Sequence, residues 1–407
     1  MNCRHCGAVL HLPLIDLGTA PPSNAYLSAD ELKGPEKWYP LRVLVCESCW
    51  LVQTEDFLDR ESLFSGDYAY FSSYSSSWLE HAERYVGNMA ERFGLGAESL
   101  HVEVASNDGY LLQFSRQRGI PCLGIEPTAS TASAAREKGI ETREAFFCVA
   151  LAEQLREEGL QADLMTANNV LAHVPDINDF VRGFAVLLKH DGVATFEFPH
   201  LVRLIDEAQF DTIYHEHYSY LSLTAVERIF ASNGLKLFDV EQLPTHGGSL
   251  RVYAQRSDGD RMVSDAVIDL LADEERWGVQ TAGYYSNLQP RAERIKNDLL
   301  AFLVQARREG KRLGAYGAAA KGNTLLNFSG VRADLLPWVV DRNPAKQGKY
   351  LPGSRIPIVD ESAIERERPD YLLILPWNLR DEIIAQQARI RDWGGRFLTA
   401  VPELKVV

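Results

Sequence analysis

Nothing in this 407-residue chain approaches the ~20 consecutive apolar residues that cross a bilayer as a helix. Positive charge is also short: Lys and Arg total 42 against 56 Asp and Glu, a formal net charge of −14 at pH 7. Duplexes and anionic membranes are held by a positive field. Neither a nucleic acid nor a membrane is therefore an expected partner. The first residues, Met1-Asn2-Cys3-Arg4-His5-Cys6, have no basic stretch leading into an apolar one, so no secretory leader is expected. Six cysteines are too few for a disulfide scaffold in a chain of this length. The expected compartment is the cytoplasm.

The cysteines that are present are grouped. Cys3 and Cys6 form one Cys-x-x-Cys pair, and Cys46 and Cys49 form a second. Two intervening residues let both thiolates of a tight turn point at one ion, and two such turns complete a tetrahedral S4 site. Gly7 follows the first pair, and the second pair ends a predicted strand, Leu41 to Val45. A thioredoxin-type redox pair would need only one Cys-x-x-Cys at a helix start. The spacing predicts a zinc ion on Cys3, Cys6, Cys46 and Cys49. Four protein ligands leave no open position, which makes the ion structural. The module around it, residues 1–60, is too small to fold without the metal.

The rest of the chain is too long for one further domain of ordinary size. A Tyr- and Ser-rich segment from Asp67 to Ser77 leads into a helical pattern from Trp78 to about Phe93. Strands are predicted at 101–105, 121–126, 162–167, 192–198, 235–241 and 249–255, the first five separated by helical segments. That alternation signals an open α/β sheet, and the last two strands form an antiparallel hairpin. A helical connector follows at 261–310, then strands near 311–316, 336–340, 370–375 and 396–400. The expected fold is α/β: a zinc-binding module (1–60), a Rossmann-like domain (61–260), the connector, and a second Rossmann-like domain (311–407).

The segment Val102-Glu103-Val104-Ala105-Ser106-Asn107-Asp108-Gly109 runs from a strand into a small-residue turn that opens a helix. Ala105, Ser106, Asn107 and Gly109 let a cofactor approach the backbone, and the helix N-terminus offers free N–H groups. Only Gly109 stands where a dinucleotide fingerprint has three glycines, which counts against NAD. The turn is similar to the acidic-then-glycine turn of class I S-adenosylmethionine-dependent methyltransferases, where Glu103 would serve the cationic amino-acid end. Glu126, followed by Pro127, ends the second strand, where an acidic side chain accepts both ribose hydroxyls. Asn168 and Asn169 end the third and frame the adenine and the methyl group.

After the strand ending Phe196-Glu197-Phe198-Pro199-His200 comes Tyr214-His215-Glu216-His217-Tyr218-Ser219-Tyr220. This places two histidines, a carboxylate and three tyrosines at the carboxyl edge of the sheet, where open α/β proteins bind ligands. Those groups suit acid–base chemistry near neutral pH. His215 and His217 also have the spacing of metal ligands, without a third, and a loop of satisfied aromatic residues is the plainer alternative. His173 reads equally as catalytic or structural.

In this order, the Cys pairs, the Tyr/Ser segment, Glu103 to Gly109, Tyr214 to Tyr220 and Gly317-Ala-Ala-Ala-Lys321-Gly-Asn323 span essentially the whole chain. Together they resemble the sugar C-methyltransferases of nucleotide-deoxysugar biosynthesis, which include the C-3 methyltransferases of branched antibiotic sugars. The resemblance implies S-adenosylmethionine as methyl donor and an NDP-4-keto-6-deoxysugar, dTDP-linked, as acceptor. It implies methylation beside the ketone, at C-3 or alternatively at C-5, through an enolate. By the same resemblance His217 is the base and Glu216 orients or polarises its surroundings. Tyr214 and Tyr68 bind the sugar and its oxyanion, and His173 lines the same pocket.

In the last domain, Gly317, four residues and Gly322 have the outline of a P-loop, but Asn323 stands where lysine is required. A helix N-terminus with Lys321 can still hold a diphosphate. Lys346 and Lys349 are further cations, and Tyr70, Ser73 and Asn323 complete the expected substrate contacts. A degenerate Rossmann domain kept for packing is the alternative. An NAD-linked sugar oxidoreductase and a non-enzymatic zinc-ribbon binding protein remain as other function classes. No oligomeric state is read from the sequence, and a monomer is compatible with all of it.

Overall fold

The computed structural model describes residues 1–57, 71–74 and 76–407. Tyr68 and Tyr70 lie outside the described residues. Among those described, three sheets carry the fold.

The N-terminal sheet is β1 (Leu12–Ala20), β2 (Tyr39–Val45) and β3 (Val52–Thr54), all antiparallel. Its fourth strand comes from far away: β9 (Ser219–Tyr220) pairs with β3, setting Tyr220 opposite Val52 and Ser219 opposite Gln53.

The central sheet has the order β10-β11-β8-β7-β4-β5-β6. Its strands are β4 (His101–Val104), β5 (Cys122–Ile125), β6 (Thr142–Arg143), β7 (Ala162–Asn168), β8 (Leu188–Pro199), β10 (Leu235–Leu243) and β11 (Ser249–Arg256). β4 to β8 are parallel, and β11 runs antiparallel between β8 and β10. All four residues of β4 are buried, as a strand covered on both faces requires. The chain leaves β4 for β5 on one side and returns to β7 on the other, which opens a crevice at the carboxyl ends. Helices cover both faces. In Ile177–Leu187 the buried residues Ile177, Phe180, Val181, Phe184 and Leu187 recur at helical spacing, and the Asp179 N–H donates to the N-cap Asp176.

The third sheet has the order β14-β13-β12-β15-β16-β17. It comprises β12 (Leu313–Tyr316), β13 (Val339–Val340), β14 (Ile358–Val359), β15 (Tyr371–Ile374), β16 (Arg396–Thr399) and β17 (Lys405–Val406), the last antiparallel. One apolar cluster runs from Ile15 and Val43 through Leu299 and Leu303 to Leu313 and Leu373. The first and last parts of the chain thus share a core. No helix among the described residues is long and apolar enough to cross a membrane.

The connector forms the helices Asp265–Trp277 and Leu288–Arg308. It is tied down by Glu274, which is fully buried. One carboxylate oxygen accepts from His200 Nε2 (2.7 Å) and the Leu223 N–H (2.8 Å). The other accepts from the N–H (2.8 Å) and hydroxyl (2.6 Å) of Thr224. Leu223 and Thr224 open the helix Leu223–Ser232, so the carboxylate caps that helix. Burial pushes its pKa up, but His200 and Thr224 outweigh burial and hold it below the ordinary value. This stabilisation is present above the unfolded carboxylate's pKa, ~4.3, and is lost as pH falls. Glu274→Ala is expected to destabilise the fold by about 3–5 kcal/mol, because His200 and two N–H groups are left buried and unpaired. Denaturant titration at neutral pH checks it.

Candidate active site

The two Cys-x-x-Cys turns close in the same way. The Gly7 N–H donates to the Cys3 carbonyl (2.9 Å) and the Trp50 N–H to that of Cys46 (2.8 Å). Both Gly7 (φ +76°) and Trp50 (φ +62°) are left-handed. The turns bring Cys3 Sγ to 3.5 Å from Cys49 Sγ, and Cys6 Sγ to 3.5 Å from Cys46 Sγ. All four sulfurs lie within 4.8 Å of one another. A tetrahedron with Zn–S bonds of ~2.3 Å has edges of about 3.8 Å, so the set fits zinc. Gln53 Nε2 donates to Cys3 Sγ at 3.3 Å, the contact a thiolate ligand accepts.

A cavity of about 400 Å³ opens at the carboxyl ends of β4, β5 and β7. Ala105, Asn107, Glu126, Pro127, Asn168 and Asn169 line one end, with Trp78, Tyr110, Phe146 and Phe147 around them. Ala105 (φ +54°), Asn107 (φ +49°) and Asn169 (φ +56°) are left-handed without being glycine. Each such residue costs ~1–2 kcal/mol, strain that concentrates where a ligand is held. Glu126 accepts the Asn107 and Thr128 N–H groups, both at 2.9 Å, and burial raises its pKa. Neither side-chain polar atom of Asn168 has a hydrogen-bond partner, nor has Asn169 Oδ1. Buried polar atoms without partners inside an aromatic-walled cavity fit a polar, adenosyl-type ligand.

At the other end stand His173, Tyr214, Glu216 and His217, with Asn24 reaching in from the N-terminal module and Lys321 and Lys346 from the C-terminal domain. The His173 and His217 rings are 4.6 Å apart, and Tyr214 lies 3.9 Å from His217. His217 Nδ1 donates to the Thr212 carbonyl (2.8 Å). A carbonyl only accepts, so the proton is on Nδ1 and Nε2 carries the lone pair. Burial, then His173, push the pKa of His217 well below its ordinary value, and burial alone brings His173 to about 4. Both imidazoles are neutral at neutral pH. Glu216 is fully enclosed, its two oxygens accepting from Asn24 Nδ2 (2.9 and 2.7 Å), and burial raises it to about 7. Lys321 Nζ donates to Asn378 Oδ1 (2.7 Å) and sits 4.6 Å over the Trp377 ring. Trp377 Nε1 in turn donates to the buried Asp211 (2.7 Å).

Several expected residues lie elsewhere. Glu103, on β4, and Ser106 are buried and do not line the cavity, and burial holds the pKa of Glu103 well above the ordinary value. Gly109 is left-handed (φ +75°), and a Cβ there would meet Ile140 Cδ1 at 2.4 Å. The helix after the turn begins only at Leu112 and has six residues. Ser73 accepts from Lys138 Nζ at 2.8 Å. Asn323 is buried, donating to the Ser23 carbonyl (2.7 Å) as a tie between the first and last parts of the chain. Lys349 and Asn323 do not line the cavity. Of the expected diphosphate cradle, Lys321 lines the cavity together with Ala319 and Ala320, but the glycines are packed: Cβ atoms on Gly314, Gly317 and Gly322 would meet Trp338 (2.1 Å), Pro376 (2.5 Å) and Leu375 (2.9 Å). His215 turns away from His217, its Nε2 donating to the Pro40 carbonyl (3.2 Å), which removes the two-histidine metal alternative. Sequence reasoning missed Asn24, Trp78 and His246, all of which line the cavity.

Three family models match the chain in the order of its parts: a zinc binding domain over 3–64, a methyltransferase domain over 78–240 and a C-methyltransferase C-terminal domain over 244–402. C-methyltransferase NovU of Streptomyces niveus is 36% identical over 406 residues, covering 100% of this chain and 96% of that protein. The chain belongs to the C-methyltransferase family. It is an S-adenosylmethionine-dependent C-methyltransferase with a zinc-binding N-terminal domain, which sets aside the oxidoreductase and the non-enzymatic alternative. The ubiquinone biosynthesis O-methyltransferase of Bordetella avium is 31% identical over 97 residues, 23% of this chain and 40% of that one. Among solved structures, the magnesium protoporphyrin IX methyltransferase of Synechocystis PCC 6803 shares 16% identity over 44% of this chain and 79% of its own, with a TM-score of 0.34. A methyltransferase of Clostridium acetobutylicum shares 12% over 45% and 92%, with a TM-score of 0.37.

Proposed function

We propose that this C-methyltransferase acts on a nucleotide-linked 4-keto-6-deoxysugar, placing the methyl group on C-3, beside the ketone. The observation that carries the reading is the tautomer of His217. With Nδ1–H held by the Thr212 carbonyl, Nε2 is a neutral base inside the cofactor's cavity. His217 Nε2 takes the proton from C-3, the C–H electrons form a C-3–C-4 double bond, and the carbonyl electrons move to oxygen. Tyr214 donates to that developing oxyanion, and His173 walls the same space. Glu216, neutral below about pH 7, and Asn24 close the floor. S-adenosylmethionine, when bound, would supply the electrophilic methyl group to C-3, the C-4 carbonyl re-forming and S-adenosylhomocysteine leaving with the C–S bonding pair.

Lys321, Lys346 and the N-terminus of the helix Ala320–Ser329 face the base end and take the diphosphate of the sugar nucleotide. At the other end Glu126 receives the ribose hydroxyls. Ala105, Asn107, Pro127, Asn168 and Asn169 frame the rest of the cofactor. Glu126→Ala is expected to raise the Kd for S-adenosylhomocysteine ~10–100-fold, the worth of hydrogen bonds to a charged acceptor. Calorimetry checks it, and an unchanged Kd would remove Glu126 from the ribose. The acceptor is tested by incubating the protein with S-adenosylmethionine and a panel of dTDP-4-keto-6-deoxysugars and weighing the products. A methyl group on none of them sinks the sugar reading.

A further inference from the structure

The turn between β10 and β11 holds a third cavity histidine that the reaction scheme leaves unused. His246 lines the cavity in a left-handed conformation (φ +57°, ψ +17°). The two glycines after it are closely packed. A Cβ on Gly247 would meet the Trp377 ring at 2.5 Å, and one on Gly248 would meet Arg203 at 2.6 Å. Gln209 Nε2 also donates to the Gly247 carbonyl (2.8 Å). The imidazole stands edge-on to Trp78 at 5.2 Å, and Trp78 stacks on His81 at 4.8 Å. His81 is bonded to Glu197 (2.9 Å), which is paired with Arg251 (2.8 Å). A rigid polar cluster therefore backs the ring. Nδ1 of His246 is buried without a hydrogen-bond partner. Burial, and Lys321 nearby, bring its pKa to about 4, so the ring is neutral in the working range.

A strained backbone and an unsatisfied imidazole gain nothing for the fold, since phenylalanine would pack against Trp78 as well. We propose that His246 is a substrate-binding residue, whose imidazole hydrogen-bonds an oxygen substituent of the acceptor sugar and so sets which carbon faces His217. The inference rests on the sugar reading above. A neutral imidazole offers one donor and one acceptor, which matches a hydroxyl or keto oxygen and gives no preference for an anion.

Asparagine tolerates left-handed backbone better than most residues, so H246N keeps the turn while removing the imidazole. The expected result is an unchanged or higher Tm, an unchanged Kd for S-adenosylhomocysteine, and a kcat/KM for the methylated dTDP-4-keto-6-deoxysugar ~10–100-fold lower. H246F, which keeps the ring contact with Trp78, is expected to show the same loss. Native kcat/KM in either variant overturns the assignment of His246 alone. A native protein that methylates none of the panel overturns both this inference and the sugar reading.

Discussion

His217→Asn is expected to bind S-adenosylhomocysteine as tightly as the native chain and to turn over ~10²–10⁴-fold more slowly, the usual loss when a general base is removed. The two effects separate because the end of the cavity proposed for the cofactor is built from the carboxyl edges of β4, β5 and β7, whereas His217 hangs on other elements. Its N–H donates to the Tyr214 carbonyl (2.9 Å), its carbonyl accepts from Thr54 Oγ1 (2.8 Å), and Nδ1 donates to the Thr212 carbonyl (2.8 Å). A residue held at two backbone points and one ring nitrogen loses little entropy on reaching the transition state. Burial keeps it unprotonated well below the ordinary histidine pKa. The acid limb attributable to His217 in the kcat profile should therefore lie far below pH 6.5. Steady-state kinetics with calorimetry on the same preparation decide the matter, and an unchanged turnover removes His217 from the base role.

Loss of zinc should be as damaging, although the four sulfurs lie outside the cavity. Structural zinc contributes ~10–16 kcal/mol of apparent binding energy in small S-ligand modules, and that energy is folding energy. Cys46→Ser, or exhaustive chelation, is expected to open the β1–β2–β3 sheet. β9 then loses the strand it pairs with, and the His217 carbonyl loses Thr54. Asn24, on the same module, lets go of Glu216. Turnover should fall to near background while S-adenosylhomocysteine binding survives in large part. Metal content, circular dichroism, calorimetry and rate measured on one chelated sample test this. Full activity in zinc-free protein would show that the module does not position the base.

The parts of the site that could be read from the chain are those made within a few residues. Both zinc knuckles, the Ala105-to-Asn107 turn, Glu126 at the end of a strand and the crowded Tyr214–Tyr220 loop are local. Strand positions in the two large sheets were legible for the same reason, because buried parallel strands are short apolar runs between helices. The two-residue strands β6, β14 and β17 were not, whereas the equally short β13 was, because it ends the apolar run Leu335–Val340. Glycine misled in both directions. Gly109, Gly317 and Gly322 look like ligand turns, but a glycine that lets a side chain approach is indistinguishable in sequence from one that lets a phosphate approach. The glycines after His246 read only as a hairpin turn, yet they pack against Trp377 and Arg203 beside a cavity residue.

The cofactor class came from the likeness of one turn to those of known methyltransferases, while the amino-acid order alone carried the S4 ligand set, the succession of the parts and the loop that bears an imidazole beside a carboxylate. These follow from spacing along the backbone, and spacing survives any arrangement of the parts. Which nitrogen of His217 carries the lone pair, that Asn24 holds Glu216, that Lys321 enters the cavity while Asn323 does not, and that β9 completes the zinc module's sheet emerged in three dimensions. The Thr212–His217 bond closes within one loop, and the others join segments far apart in the chain. Their meeting is set by burial of the shared apolar core and by pairing of edge strands, to which no local spacing is tied.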